Sequence, residues 1–174
     1  VRLGDDLLAL WEAAEPHALD PASLETRGLS QLNGVLKPGE AFSAHPRFDP
    51  GHHDDPRMVT FGVKAGPRST VRLMEFAADG SLLTDRRDSF NGFAFLHDFA
   101  ITPNWAVFWQ NAINFNPLPF VMGQKGAAQC LTSNPKGQAK FWLIPRDSGA
   151  FAGQSAKVID CLLYTSDAAD DEER

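Results

Sequence analysis

Phe93-Ala94-Phe95-Leu96-His97-Asp98-Phe99-Ala100-Ile101 is the most regular stretch of the chain. Phe93, Phe95, His97, Phe99 and Ile101 alternate with Ala94, Leu96, Asp98 and Ala100, the period of a β-strand. The spacing predicts one strand over 93–101, with a buried face that carries a histidine among four apolar residues. Thr102-Pro103-Asn104 turns the chain into a second apolar strand, Trp105 to Trp109. Outward from there, Met58 to Val63 and Ser69 to Phe76 read as strands split by Lys64-Ala65-Gly66-Pro67, and Ala78-Asp79-Gly80 closes a hairpin into Leu82 to Arg86. Leu7 to Trp11 and Ala41 to His45 read as further short strands, and Phe141 to Ile144 as the last clear one. Asp20-Pro21-Ala22-Ser23 is a turn signal. Asn114 to Gly126 is apolar but broken by Pro117, Pro119 and Gly123, which predicts a loop with one helical turn. No segment before the C-terminal tail holds a 3.6-residue period over three turns. Short strands at near-regular spacing make the chain all-β, and periodicity leaves barrel, sandwich and propeller open.

The chain has 174 residues, 43% hydrophobic and 22% charged, enough for one globular core. It has no 18-residue apolar run to cross a membrane and no charged-then-apolar leader. It starts at Val1 close to a dense apolar run, which reads as a start inside a domain. Of its net charge of −6, much comes from residues 161–174, with five acids and one base. The remainder carries 15 basic and 17 acidic residues, so no nucleic-acid partner is expected. Cys130 is then the only cysteine of the body, which precludes an intrachain disulfide there and fits a reducing compartment. Cys161-Leu162-Leu163-Tyr164-Thr165-Ser166-Asp167-Ala168-Ala169-Asp170 resembles one reading frame of a transposase-type sequencing adapter. The expected division is therefore a native segment, 1–160, and a non-native tail, 161–174.

Five histidines are candidates for chemistry. His17, after Pro16, reads as a solvated turn residue. His52 and His53, with Asp54, could form a zinc site, but Gly51 and Pro56 flank them and an exposed hairpin tip explains them as well. His97 is either a hydrogen-bonded core residue or a ligand. His45, just before Pro46, says little by itself.

The surroundings of the last two resemble a known family. Phe95-Leu96-His97-Asp98-Phe99-Ala100-Ile101-Thr102-Pro103-Asn104-Trp105 closely resembles a histidine motif of the carotenoid cleavage oxygenases, and Ser43-Ala44-His45-Pro46-Arg47 resembles the histidine motif that precedes it. Leu8 to Glu12, Pro16 to Pro21 and Leu24-Glu25-Thr26 are similar to the preceding blade. Phe115-Asn116-Pro117-Leu118-Pro119-Phe120 with Gly126-Ala127-Ala128 looks most like the bacterial apocarotenoid-cleaving branch. The resemblance spans about Leu7 to Pro145.

It implies part, about half, of a seven-bladed β-propeller. It implies a non-haem Fe(II) on the propeller axis held by four histidines, of which His45 and His97 are two and the others lie outside this sequence. Glutamates behind the imidazoles fix their tautomer and orientation in such sites, and Glu12 falls where the first of them is expected, oriented on His97. The implied reaction is scission of a conjugated C=C bond of a carotenoid or apocarotenoid by dioxygen, giving two carbonyl products. Phe95 and Trp11 are candidates to line an apolar substrate tunnel, with plain core packing as the alternative. Leu118, Phe120, Val121 and Met122, followed by Lys125, suit a loop that dips into lipid headgroups, or else a buried interblade loop. The expected location is cytoplasmic, free or peripherally attached to a membrane.

With two of four ligands, a polypeptide of this extent is expected to be inactive and to expose strand edges. A stilbene-cleaving oxygenase of the same fold, a non-catalytic propeller acting as a binding module, and a zinc hydrolase built on His52, His53 and Asp54 remain open. Two imidazoles on one metal should bring their nitrogens within about 3–4 Å of each other.

Overall fold

A computed structural model describes residues 1–12, 14–49, 56–134 and 137–161. Three four-stranded antiparallel sheets follow one another along the chain. The first holds β1 (Arg2–Leu3), β2 (Asp6–Ala9), β3 (His17–Leu19) and β4 (Thr26–Leu29). The second holds β5 (Arg47–Asp49), β6 (Arg57–Lys64), β7 (Arg68–Phe76) and β8 (Leu82–Asn91). The third begins with β9 (Phe99–Ile101) and β10 (Trp105–Gln110). The chain then makes an excursion through β11 (Ile113–Phe115), α1 (Pro117–Val121), a 3-10 turn (Ala127–Cys130) and β12 (Leu131–Ser133). It returns to the third sheet as β13 (Ala139–Pro145) and β14 (Lys157–Cys161).

The middle sheet is buried on both faces, and its sequence shows why. In β6, Val59 and Phe61 point one way and Met58 and Thr60 the other, all with 2% exposure or less. Across the ladder Phe61 faces Leu73 and Met58 faces Phe76, so both strands sort their side chains alike. Val59, Phe61, Val71 and Leu73 pack on Phe99, Ala106, Phe108, Trp142 and Ile144 of the third sheet. Met58, Met74 and Phe76 pack on Leu3 and Leu8 of the first sheet and on Leu32, Leu36 and Phe42 of the connecting loops. A run hydrophobic on both faces is the signature of an inner layer.

The turns follow their local chemistry. Asp20 Oδ1 accepts from the backbone N–H groups of Ala22 and Ser23, and with the Arg27 guanidinium this holds the carboxyl well below the usual range. Asp79 Oδ1 accepts from Ser81, and Gly80, at φ +88°, closes the β7–β8 hairpin. Thr102 Oγ1 accepts from the N–H groups of Asn104 and Trp105 between β9 and β10.

The long strand expected over 93–101 is not formed. Only Phe99 to Ile101 pairs, and residues 93–98 cross without a ladder from β8 to β9. Ser69 Oγ accepts from Ala94 N–H, and Gln110 Nε2 donates to the Phe93 carbonyl. Ala94 and Leu96 are the buried residues of this crossing, whereas Phe95 and His97 face outward. Asp98 shifts the phase, and Phe99 returns to the core beside Phe61 and Phe108. Ala41 to His45 is likewise no ladder strand, since pairing starts after Pro46. The strand at Leu7 ends at Ala9, His17 is exposed on β3 rather than in a turn, and β14 follows the strand taken as the last.

Candidate metal centre

Glu12, His45 and His97 come from three connections. Glu12 follows β2, His45 stands two residues before β5, and His97 stands two residues before β9. β5 and β9 are edge strands of the second and third sheets and touch each other. The two histidines therefore occupy equivalent places on neighbouring sheets. Their ring centroids lie 4.6 Å apart, and each of the three residues offers a ligand atom within 4.8 Å of the other two. Glu12 Oε1 lies 2.5 Å from His97 Nδ1 and 3.5 Å from His45 Nε2.

The segment that carries His45 is held by backbone contacts. Phe42 is fully buried, Ser43 N–H donates to the Phe61 carbonyl at 2.7 Å, and Ser43 Oγ accepts from His45 N–H at 3.0 Å. The segment lies against β6 at Gly62, where a Cβ would stand 2.2 Å from the Ala41 carbonyl oxygen. Backbone on both sides leaves no flexible atom to give way. Gly62→Ala is expected to push Ala41–His45 off the sheet and to destabilise the fold by about 1–3 kcal/mol. Denaturant unfolding checks the energy, and metal content checks the displacement of His45.

Glu12 Oε1 is shielded from solvent and receives no well-directed hydrogen bond, despite its close approach to His97 Nδ1. An acceptor in this state beside two imidazoles fits a site built for a cation. The 2.5 Å contact is also shorter than the spacing of two atoms that share a metal through bonds of about 2 Å. It is a close imidazole–carboxylate contact without the direction of a hydrogen bond, and it involves Nδ1 rather than Nε2 of His97. Two imidazole nitrogen donors suit a divalent transition metal.

The other candidate residues are placed as follows. Trp11 adjoins Glu12 and is 69% exposed, and Phe95, on the outward side of the crossing with His97, is 54% exposed. Leu118, Phe120, Val121 and Met122 lie on and just after α1, exposed by 63%, 49%, 77% and 60%, and no α1 side chain is buried. Asn116 caps α1 by accepting from Leu118 N–H, and Pro117 starts it. His52, His53 and Asp54 lie outside the described residues. No helix among the described residues is long and apolar enough to cross a membrane.

Sequence reasoning passed over Gly62, Arg47 and Asp98. The last two stand beside His45 and His97 with opposite charges, a signal that was legible in the two motifs.

Successive four-stranded sheets, with two imidazoles and a carboxylate gathered just before neighbouring edge strands, have the form of propeller blades around a candidate metal centre. Comparison with known proteins makes this specific. A sequence model of the retinal pigment epithelial membrane protein (RPE65) family matches residues 1–166, and the chain belongs to that family. It is 47% identical over 149 residues to the apocarotenoid-15,15'-oxygenase of Synechocystis, covering 84% of this chain and 30% of that protein. It is 40% identical over 104 residues to resveratrol cleavage oxygenase 1 of Aspergillus fumigatus, covering 59% of this chain and 20% of that one. The crystal structure of cobalt-substituted Synechocystis apocarotenoid oxygenase superposes with a TM-score of 0.86 at 44% identity, over 92% of this chain and 33% of that chain. A chimera of the apocarotenoid oxygenase with RPE65 gives 0.85 at 44% identity, over the same shares. The fold is thus all-β and part of a β-propeller. The chain spans about a third of the length of these relatives.

Proposed function

We propose that this chain is part of an iron(II)-dependent oxygenase that cleaves a conjugated C=C bond of an apocarotenoid or carotenoid with dioxygen, giving two carbonyl products. The convergence of His45 and His97 from neighbouring sheets, with Glu12 behind His97, carries this reading. His45 and His97 would hold the iron together with two histidines from outside this sequence. The iron would bind and activate dioxygen. Glu12 would accept the Nδ1 proton of His97, hold its ring orientation and raise the basicity of Nε2. Trp11 and Phe95, apolar and open beside the histidines, would line the path of a rigid polyene and keep water from it.

The apocarotenoid reading is favoured over the stilbene reading because the likeness to the Synechocystis enzyme is both higher and longer than that to the resveratrol-cleaving enzyme. A non-catalytic propeller would have no need of paired imidazoles with a carboxylate behind one of them. On this reading residues 1–160 supply propeller blades and 161–174 would be a non-native tail, although the family match runs to residue 166. Sequencing an independent clone across Cys161 tests that division. With two of the four proposed histidine ligands, residues 1–174 alone would not cleave an apocarotenal, which an assay of the purified polypeptide checks.

Activity is testable in a full-length host, a chimera that carries residues 1–160 in place of the matching segment of the Synechocystis enzyme. It should cleave an apocarotenal and leave resveratrol intact. The opposite preference would reject the substrate class, and iron-replete protein inert toward both would reject the reaction. The exposed Leu118, Phe120, Val121 and Met122 would bring the enzyme to a membrane surface, where such a substrate dissolves. Leu118→Ser with Phe120→Ser should reduce liposome binding of the chimera several-fold. Unchanged co-sedimentation would reject the patch.

A further inference from the structure

The two histidines sit on separate sheets, and their separation is only as well defined as the seam between β5 and β9. One side-chain pair crosses that seam next to both of them. Arg47 Nη2 lies 2.5 Å from Asp98 Oδ2, and Arg47 Nε donates to the Phe99 carbonyl at 3.0 Å. Asp98 Oδ1 in turn accepts from Phe99 N–H at 2.7 Å. Arg47 is two residues after His45, and Asp98 directly follows His97. Both side chains are more than two-fifths exposed, so the pair contributes little as a surface ion pair. Its geometry is more telling than its energy. A planar guanidinium uses two of its N–H groups on two successive residues of the opposite strand, which fixes distance and orientation together.

We propose that Arg47 and Asp98 are positioning residues, a clamp across the seam that sets the spacing and relative tilt of His45 and His97. This rests on the metal reading above. The clamp touches neither metal nor substrate and acts only through the segments that carry the histidines into β5 and β9. It also accounts for the phase shift at Asp98. If the alternation of 93–97 continued, Asp98 would turn inward. Both His97 and Asp98 instead face outward, so one can meet His45 and Glu12 while the other meets Arg47.

The test uses the full-length chimera loaded with Co(II), whose d–d absorption bands report ligand geometry. Arg47→Met and Asp98→Asn should each weaken Co(II) binding about 10- to 100-fold, the usual cost of losing an outer partner of a metal site. Each should also shift the bands while leaving the melting temperature within a few degrees. The double variant should be no worse than the more damaging single one, as for two residues acting as a unit. Arg47→Lys should fall between, since it keeps the charge and loses the fork. Unchanged affinity and spectra in both single variants would overturn the clamp, and so would a fall in melting temperature alone. His45→Ala separates the two levels. If it loses cobalt while the clamp variants keep it, the clamp is wrong and the metal site stands. If it keeps cobalt, the metal reading fails and the clamp with it.

Discussion

His97→Ala in the full-length chimera should give a folded protein that retains no iron after dialysis and cleaves no apocarotenal. His97 is 60% exposed at its side chain among the described residues, so its removal opens no cavity in them, and the metal-free variant should unfold within about 1 kcal/mol of the metal-free parent. His45→Ala should behave in the same way, with its side chain 41% exposed. Glu12→Gln should be milder. The amide still fills the space beside His97 Nδ1 but carries no charge, and metal affinity should fall about 10- to 100-fold rather than vanish. That ranking separates a carboxylate behind the imidazole from a carboxylate bound to the metal. If Glu12→Gln loses metal as completely as His97→Ala, Glu12 is itself a ligand. Iron content, apocarotenal turnover and denaturant unfolding measured on all three variants decide between these outcomes. Retention of full iron by His97→Ala would remove the central claim.

The strands that were legible in the sequence are those whose burial repeats locally. Residues 57–64 and 68–76 are apolar on both faces, and their turn residues, Gly66-Pro67 and Asp79-Gly80, stand where chain reversal requires them. Phe93 to Ile101 misled because a crossing segment can be as apolar as a strand. Ala94 and Leu96 are buried by contact with two sheets, not by alternation in one. Short strands such as β3 and β5 were missed because three residues of mixed polarity carry no period. The two histidines were found only through the motifs around them. The pattern around His97 left core packing open and that around His45 said little, and both side chains are partly exposed among the described residues. Their convergence depends on contacts 52 residues apart in sequence, which no local window contains.

The same dependence makes Arg146 the most consequential residue away from the histidines. It is fully buried and closes the second sheet onto the third. Its Nε and Nη2 donate to Glu75 of β7 at 2.8 and 3.0 Å, and its Nη1 lies 2.7 Å from Asp49 of β5. Nη1 also donates to the Thr102 carbonyl at the β9–β10 turn. Burial alone would pull the guanidinium pKa down, but Glu75 and Asp49 outweigh it and the net shift is upward. Arg146→Ala would leave two buried carboxylates without their main counterion, and should cost about 3–5 kcal/mol. Arg57, with Nη1 3.6 Å from Glu75, offsets only part of the loss. Arg146→Met with Glu75→Leu should be less damaging than Arg146→Ala, because one of the two buried anions goes with the cation. Denaturant unfolding of the chimera measures both. Since Asp49 ends β5 and Thr102 follows β9, loosening this network also loosens the seam on which His45 and His97 meet. Arg146→Ala should therefore lose metal affinity as well as stability, while the paired replacement regains stability first. A cost below about 1 kcal/mol for Arg146→Ala, or strict additivity with Glu75→Leu, would show that the interblade ion network does not hold the two sheets together.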